Sequence, residues 1–115
     1  MNIETIREYC LSKKGVTESF PFDETTLVFK VLGKMFLLMN LNSELSINVK
    51  CNPEKAIELR EMYPSIVPGY HMNKNHWNTV FIDGTLNERL IFSFIDHSYD
   101  LIRLSLSKNA QKELE

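Results

Sequence analysis

Glycine, proline and cysteine are scarce in this chain, and long apolar runs are missing from it. Its 115 residues include only four glycines, four prolines and two cysteines. No apolar run approaches the ~20 residues that a membrane-spanning helix needs, so no membrane role is expected. The N-terminal segment is polar and acidic, unlike a signal peptide, which predicts a cytoplasmic protein. In that reducing compartment we expect Cys10 and Cys51 to be free thiols.

The sequence also lacks the motifs that mark common enzymes. It contains no glycine-rich phosphate loop, no G-x-S-x-G turn and no C-x-x-C or H-x-x-x-H metal-binding pair. His97 with Asp96 or Asp100 resembles half of an acid–base pair, but a histidine at the border of an apolar helix stripe is more often a structural residue whose polar atoms are satisfied. We therefore predict no catalytic residue and no cofactor, and an enzyme is disfavoured.

Charge is distributed unevenly along the chain. The net charge of −2 argues against strong, non-specific binding to polyanions. Acidic residues are concentrated in the predicted helices, whereas residues 26–52 carry three lysines against only Glu44, and residues 65–82 carry Lys74 and no acid. This asymmetry predicts a locally basic sheet in an otherwise acidic molecule.

The hydrophobic pattern predicts a single α+β domain over residues 1–115. The predicted elements, in order, are helix 2–13, strands 25–32, 35–41 and 45–51, helix 53–62, strands 66–71 and 77–83, and helix 86–106. The segment 107–115 is expected to be a polar tail. This order predicts two layers, with a mostly antiparallel five-stranded sheet and helices on one of its faces.

Strict alternation over residues 45–51 indicates which side of that sheet is polar. Leu45, Ile47, Val49 and Cys51 are apolar and alternate with Ser46, Asn48 and Lys50, a pattern typical of a sheet with one open or polar face. The segment 15–24 is expected to be a loop, with Phe20 and Phe22 anchoring it on the core.

The stretch G-Y-H-M-N-K-N-H-W-N-T-V at residues 69–80 is the strongest candidate site. A hairpin turn centred on Asn73-Lys74 would place Tyr70 opposite Trp77 and His71 opposite His76, with Cβ atoms roughly 5 Å apart. An exposed aromatic beside lysine and amide groups can stack on a base and contact a phosphate. The candidate nucleic-acid-binding residues are Lys30, Lys34, Lys50, Lys74, Tyr70, His71, Asn73, Asn75, His76, Trp77 and Asn78.

Two other interpretations of the same residues stay open. The aromatic residues can belong to the core, with the lysines on a solvated face and the asparagines capping a tight turn. Paired His71 and His76 can also bind a metal or small molecule, but no further ligand lies nearby in the sequence, so a metal site is not predicted.

Several segments together resemble the MmcQ/YjbR-like family. They are G-V-T-E-S-F-P-F at 15–22, L-V-F-K-V-L-G-K-M-F at 27–36, N-V-K-C-N-P at 48–53, residues 69–80, and D-H-S-Y-D-L at 96–101. The resemblance covers nearly the whole chain. It implies a CyaY-like α+β fold, related to a double-wing DNA-binding motif, and a DNA-binding role; it implies no catalytic residue.

These observations predict a small non-enzymatic binding module. DNA, bound weakly and in a salt-sensitive manner, is the first expected partner, and a protein partner is the alternative. A second alternative is small-molecule or metal binding through clustered histidines. A monomer or a small homo-oligomer is expected.

Overall fold

In a computed structural model, residues 1–42, 44–69 and 72–115 are described. The helices are α1 (Ile3–Leu11), α2 (Pro53–Met62), α3 (Glu88–Ser105) and α4 (Lys108–Glu113). The strands are β1 (Val16–Ser19), β2 (Thr26–Val31), β3 (Lys34–Asn40), β4 (Ser46–Lys50), β5 (Ile66–Pro68) and β6 (Trp77–Phe81). No helix within these ranges is both long and apolar enough to cross a membrane.

The strands form one antiparallel sheet in the order β1-β2-β3-β4-β6-β5. The α+β class is confirmed, but the prediction of five strands is wrong, because residues 16–19 form an additional edge strand on β2. This strand is too short and too polar to stand out in the sequence. Its Glu18 forms a bidentate ion pair with Arg7 of α1, which ties the edge strand to the first helix.

The helices pack on one face of the sheet, as the sequence predicts. The core between them contains the inward residues of the central strands and the apolar stripe of α3, including Phe29, Leu37, Ile47, Ile95 and Ile102. In β4, Ile47 and Val49 face this core and Asn48 faces away, so the predicted alternation is confirmed. The acidic helices therefore cover only one side of the sheet.

Ser98 joins α3 to the sheet. Its hydroxyl donates to the Phe36 carbonyl at 2.5 Å and accepts the Lys50 N–H at 2.8 Å. A serine on the apolar stripe of a helix is expected to bond back to its own preceding turn, but both partners of Ser98 lie on the sheet. A bulge between Phe29 and Lys30 shifts the pairing of β2 with β3, and bulges interrupt regular ladder hydrogen bonding.

The helix ends follow the sequence signals. Asn52 caps α2, and its side chain accepts from Glu54 N–H at 3.0 Å, with Pro53 in the first turn. The predicted polar tail instead contains α4, capped by Ser107. Leu114 then packs against the core.

Candidate functional site

The face of the sheet opposite the helices, here called the open face, carries the candidate site. Cross-strand pairing arranges its side chains in rows. The middle row is Val28, Leu38, Asn48 and Thr79, and the hydroxyl row is Thr26, Asn40 and Ser46. One step along the strands on the other side of the middle row lie the pairs Lys30–Met35 and Lys50–Trp77, here together called the lysine row. Successive rows lie about 7 Å apart along the strands. Along the strands, the open face therefore carries positive charge at the lysine row and uncharged side chains at the middle and hydroxyl rows.

A groove of about 610 Å³ lies over the middle and hydroxyl rows. Its floor includes Asn40, Asn48 and Thr79, and its walls include Phe22 from the loop before β2 and Met72 from the hairpin. Apolar walls around a few polar groups are typical of a ligand-binding pocket. The groove lies directly beside the lysine row, whose Met35 also lines it.

The predicted lysines do not all lie together. Lys30 and Lys50 share the lysine row, and neither forms an ion pair with a described residue. Lys34 lies on the helix side instead, where its Nζ donates to the Ser105 hydroxyl at 2.8 Å. Lys74 is exposed in the hairpin between β5 and β6. Two of the four lysines thus belong to the open face of the sheet.

The structure reverses the exposure on which the site hypothesis depends: Trp77 is covered, and Phe20 and Phe22 are exposed. Trp77 is only 8% exposed, because its ring packs on Val28 and Leu38 of the open face. Phe20 and Phe22, expected to anchor their loop on the core, are 49% and 64% exposed. Trp77 therefore supports the hairpin, and Phe22 is the accessible ring at the groove.

The hairpin turn lies one residue later than predicted. The His76 N–H donates to the Asn73 carbonyl at 3.2 Å, which places Lys74 and Asn75 at the centre of the turn. The Asn73 side chain accepts from the Asn75 N–H at 2.9 Å, so Asn73 caps the turn as an ordinary loop asparagine does. His76 is exposed.

The remaining candidate residues of the hairpin are Tyr70, His71 and Asn78. Tyr70 and His71, and hence their predicted pairing with Trp77 and His76, lie outside the described residues. Asn78 is buried on the helix side and accepts from Arg60 Nε at 2.7 Å. Its amide is therefore turned away from the open face.

His97 occupies a structural position. Its Nε2 accepts the Asn52 N–H at 3.2 Å at the start of α2. Burial, with the positive charge of Lys55 second, lowers the pKa of His97, and Asp100 opposes this. Asp96 accepts instead from Tyr9 at 2.6 Å. The described residues thus show that His97 accepts a hydrogen bond that joins α3 to the start of α2.

Metal-binding side chains do not cluster within the described residues. No group of three histidine, cysteine or acidic residues there is placed to hold a metal ion. Cys51 and His97 line a common cavity, but its volume of about 10 Å³ holds no more than a water molecule. Burial also raises the pKa of the Cys51 thiol, which disfavours the thiolate that a metal would need.

Asp23 is the carboxylate at the rim of the groove. It accepts from the N–H groups of Thr25 and Thr26 at 2.9 and 2.7 Å. Hydrogen bonds from these residues, that of the Thr25 N–H first, lower the pKa of Asp23. Its charge is thus used to fix the loop that carries Phe22, at the end of the groove away from the lysine row.

The fold and site define a class of small α+β proteins with one antiparallel sheet, helices on one face and a polar groove on the other. The YjbR family model matches residues 11–101, and the chain belongs to the YjbR family. It is 38% identical over 112 residues to the uncharacterised protein YbdF of Escherichia coli O157:H7, covering 96% of this chain and 92% of YbdF. It is 32% identical over 100 residues to the uncharacterised protein YjbR of E. coli K12, covering 86% and 85% of the two chains.

Solved structures share this fold. The crystal structure of Deinococcus radiodurans protein DR2400, described as a DUF419 domain, superimposes with a TM-score of 0.91 and 40% identity, covering 98% of this chain and 87% of that one. A crystal structure of a Pseudomonas syringae protein gives a TM-score of 0.77 and 30% identity, covering 88% and 98%. The family assignment thus agrees with the resemblance seen in the sequence. The names of these relatives and structures mention no ligand.

Proposed function

We propose that this protein is a nucleic-acid-binding module that holds a single-stranded segment on the open face of its sheet. The observation that carries the proposal is the groove with a polar floor beside the lysine row, whose Lys30 and Lys50 form no ion pair with a described residue. Phosphates would meet Lys30, Lys50 and the exposed Lys74. A base would enter the groove. Binding requires no catalytic group.

Charge segregation supports this arrangement. Strands β2, β3, β4, β5 and β6 contain no acidic residue, and the acid of β1, Glu18, is paired with Arg7. The exposed acids of α2 lie on the other side of the sheet. A strand of phosphates along the lysine row would therefore meet cations there, with the Asp23 carboxylate at the opposite end of the groove, although the net charge of the protein is −2.

The shape of the groove favours a single strand over a duplex. Bases of a single strand are free to leave the stack, and proteins commonly hold them against an aromatic ring on a β-sheet. Phe22 is the exposed ring on the groove wall. Trp77, by contrast, is covered and would brace the hairpin that carries Lys74, His76 and Asn75.

Fluorescence anisotropy with labelled single-stranded DNA at low salt tests the proposal. We expect measurable binding, weakened about tenfold or more in the double variant Lys30→Gln/Lys50→Gln, because each lost phosphate contact reduces affinity. Lys34→Gln is the matched control, since Lys34 lies on the helix side. Absence of binding by the folded wild-type protein would refute the proposal.

A second pair of variants tests the aromatic contact. Phe22→Ala should weaken binding about fivefold or more, because stacking on one base is worth roughly 1–3 kcal/mol. Phe20→Ala removes a similarly exposed ring from the same loop but outside the groove lining. Equal effects of the two substitutions would contradict the assignment of Phe22 as the stacking residue.

A further inference from the structure

The groove floor presents hydrogen-bond donors. The Asn40 side-chain oxygen accepts the Asn42 N–H at 3.0 Å, and the Asn48 side-chain oxygen accepts the Thr79 hydroxyl. Both oxygens are thus engaged within the protein. The Nδ2 groups of Asn40 and Asn48 form no hydrogen bond with a described residue, although both asparagines line the groove. Each amide therefore has its donor side left for a ligand.

The two amides are close enough to address one base. Asn40 pairs with Ser46 on β4, and Asn48 lies two residues further along that strand. Such diagonal neighbours on one face of an antiparallel pair have Cα atoms about 7–8 Å apart. Amide groups on these positions can converge on a ring lying between them, while the methionine and leucine side chains beside them contact its apolar parts.

We infer that the groove selects bases that carry two carbonyl oxygens, thymine and uracil, over adenine and cytosine. This inference rests on the proposed function and adds base selectivity to it. Thymine and uracil present two oxygen acceptors, which suit two amide donors. Cytosine and adenine each carry an amino group where thymine and uracil carry one of these oxygens. That amino group would face an amide donor, and neither of the two donors would then have an acceptor.

Competition among homopolymers tests the selectivity. Wild-type protein is titrated with labelled oligo-dT, oligo-dU, oligo-dC and oligo-dA of one length at low salt. We expect oligo-dT and oligo-dU to bind about tenfold more tightly than oligo-dC and oligo-dA. The variant Asn48→Asp replaces the amide donor by an acceptor of nearly the same shape. The ratio of the affinity for oligo-dT to the affinity for oligo-dC should therefore fall to about one or invert.

The charge introduced by that substitution needs its own control. Asn109→Asp adds the same charge on exposed α4, away from the groove, and should leave the ratio unchanged. Equal binding of all four homopolymers by the wild-type protein, or an unchanged ratio in Asn48→Asp, would overturn the base selection while leaving the proposed binding intact. Failure of every homopolymer to bind would instead refute the proposed function, and the selectivity with it.

Discussion

Arg60 of α2 donates from Nε to the buried side-chain oxygen of Asn78 at 2.7 Å. The same guanidinium donates from Nη2 to the carbonyl of Lys74. One side chain thus joins α2, the inner face of β6 and the hairpin turn. The exposed turn at Lys74 is thus held by a side chain that also bonds on the helix side of the sheet.

Removal of this contact should destabilise the protein. Arg60→Met keeps the apolar stem but leaves the Asn78 oxygen without its donor, which we expect to reduce the free energy of unfolding by about 1–3 kcal/mol. Urea denaturation measures this change. Arg89→Met, at an exposed position of α3, should change it by less than about 0.5 kcal/mol. A similar small effect of both variants would contradict the structural role of Arg60.

Ser98, which lies beneath the lysine row, is expected to stabilise the protein by an amount similar to that of Arg60. Ser98 is fully buried, and Ser98→Ala takes the hydroxyl donor from the Phe36 carbonyl and the acceptor from the Lys50 N–H, at a cost of about 1–3 kcal/mol. Ser93→Ala is the matched control in the same helix, because the Ser93 hydroxyl is exposed and donates only to Leu90. Thermal unfolding of both variants tests the prediction, and comparable midpoints would argue against it.

The lowered pKa of His97 gives a pH dependence of defined sign. Because burial lowers the pKa of His97 in the folded state, the unfolded state binds more protons as the pH falls through the ordinary value of 6.5. The stabilisation is therefore fully present above that value and decreases below it. In His97→Gln, which keeps an acceptor for Asn52, the loss of stability between about pH 8 and about pH 5 should be smaller than in the wild type. Parallel curves would exclude this contribution.

The two thiols should be unreactive in the folded protein. Cys10 is fully buried, and burial raises its pKa to about 12; the pKa of Cys51 is also raised by burial. The thiolate is the reactive form, so we expect titration with a disulfide reagent near pH 8 to be slow until urea is added. Rapid reaction of either thiol in native buffer would contradict the buried positions of both.

The salt dependence of binding should report how many phosphates the lysines contact. Three phosphate contacts, by Lys30, Lys50 and Lys74, predict a slope of log affinity against log salt concentration near −2, because each contact to a single strand contributes about −0.7. The double variant Lys30→Gln/Lys50→Gln should reduce the slope to about −0.7. A slope that is equal in the two proteins would place the phosphates elsewhere.

Local signals in the sequence were sufficient for most of the fold. Alternation predicts the two faces of β4, and the Asn52-Pro53 pair predicts the start of α2, since both depend on neighbours in the chain. Strand β1 was missed because four half-polar residues gain stability only by pairing with β2. Helix α4 was missed because its anchor, Leu114, acts through distant core contacts.

The candidate site was less predictable because exposure depends on neighbours from other strands. Alternation can assign Trp77 to a face, but only Val28 and Leu38, brought in by β2 and β3, decide that the ring is covered. In the same way, nothing local shows that Phe22 stays exposed beside a groove. The polar floor at Asn48 was visible as a pattern, and its hydrogen bonds were not.

Mapping of NMR shifts is the most direct measurement of where a ligand binds. Unlabelled oligo-dT is added to ¹⁵N-labelled protein at low salt, and backbone, side-chain amide and indole N–H signals are followed. We predict that the Asn48 side-chain amide, the Thr79 backbone and the Trp77 indole signals shift together, while those of Glu58 and Glu61 on α2 stay in place. Shifts confined to the helix side, or none at all, would contradict binding on the open face.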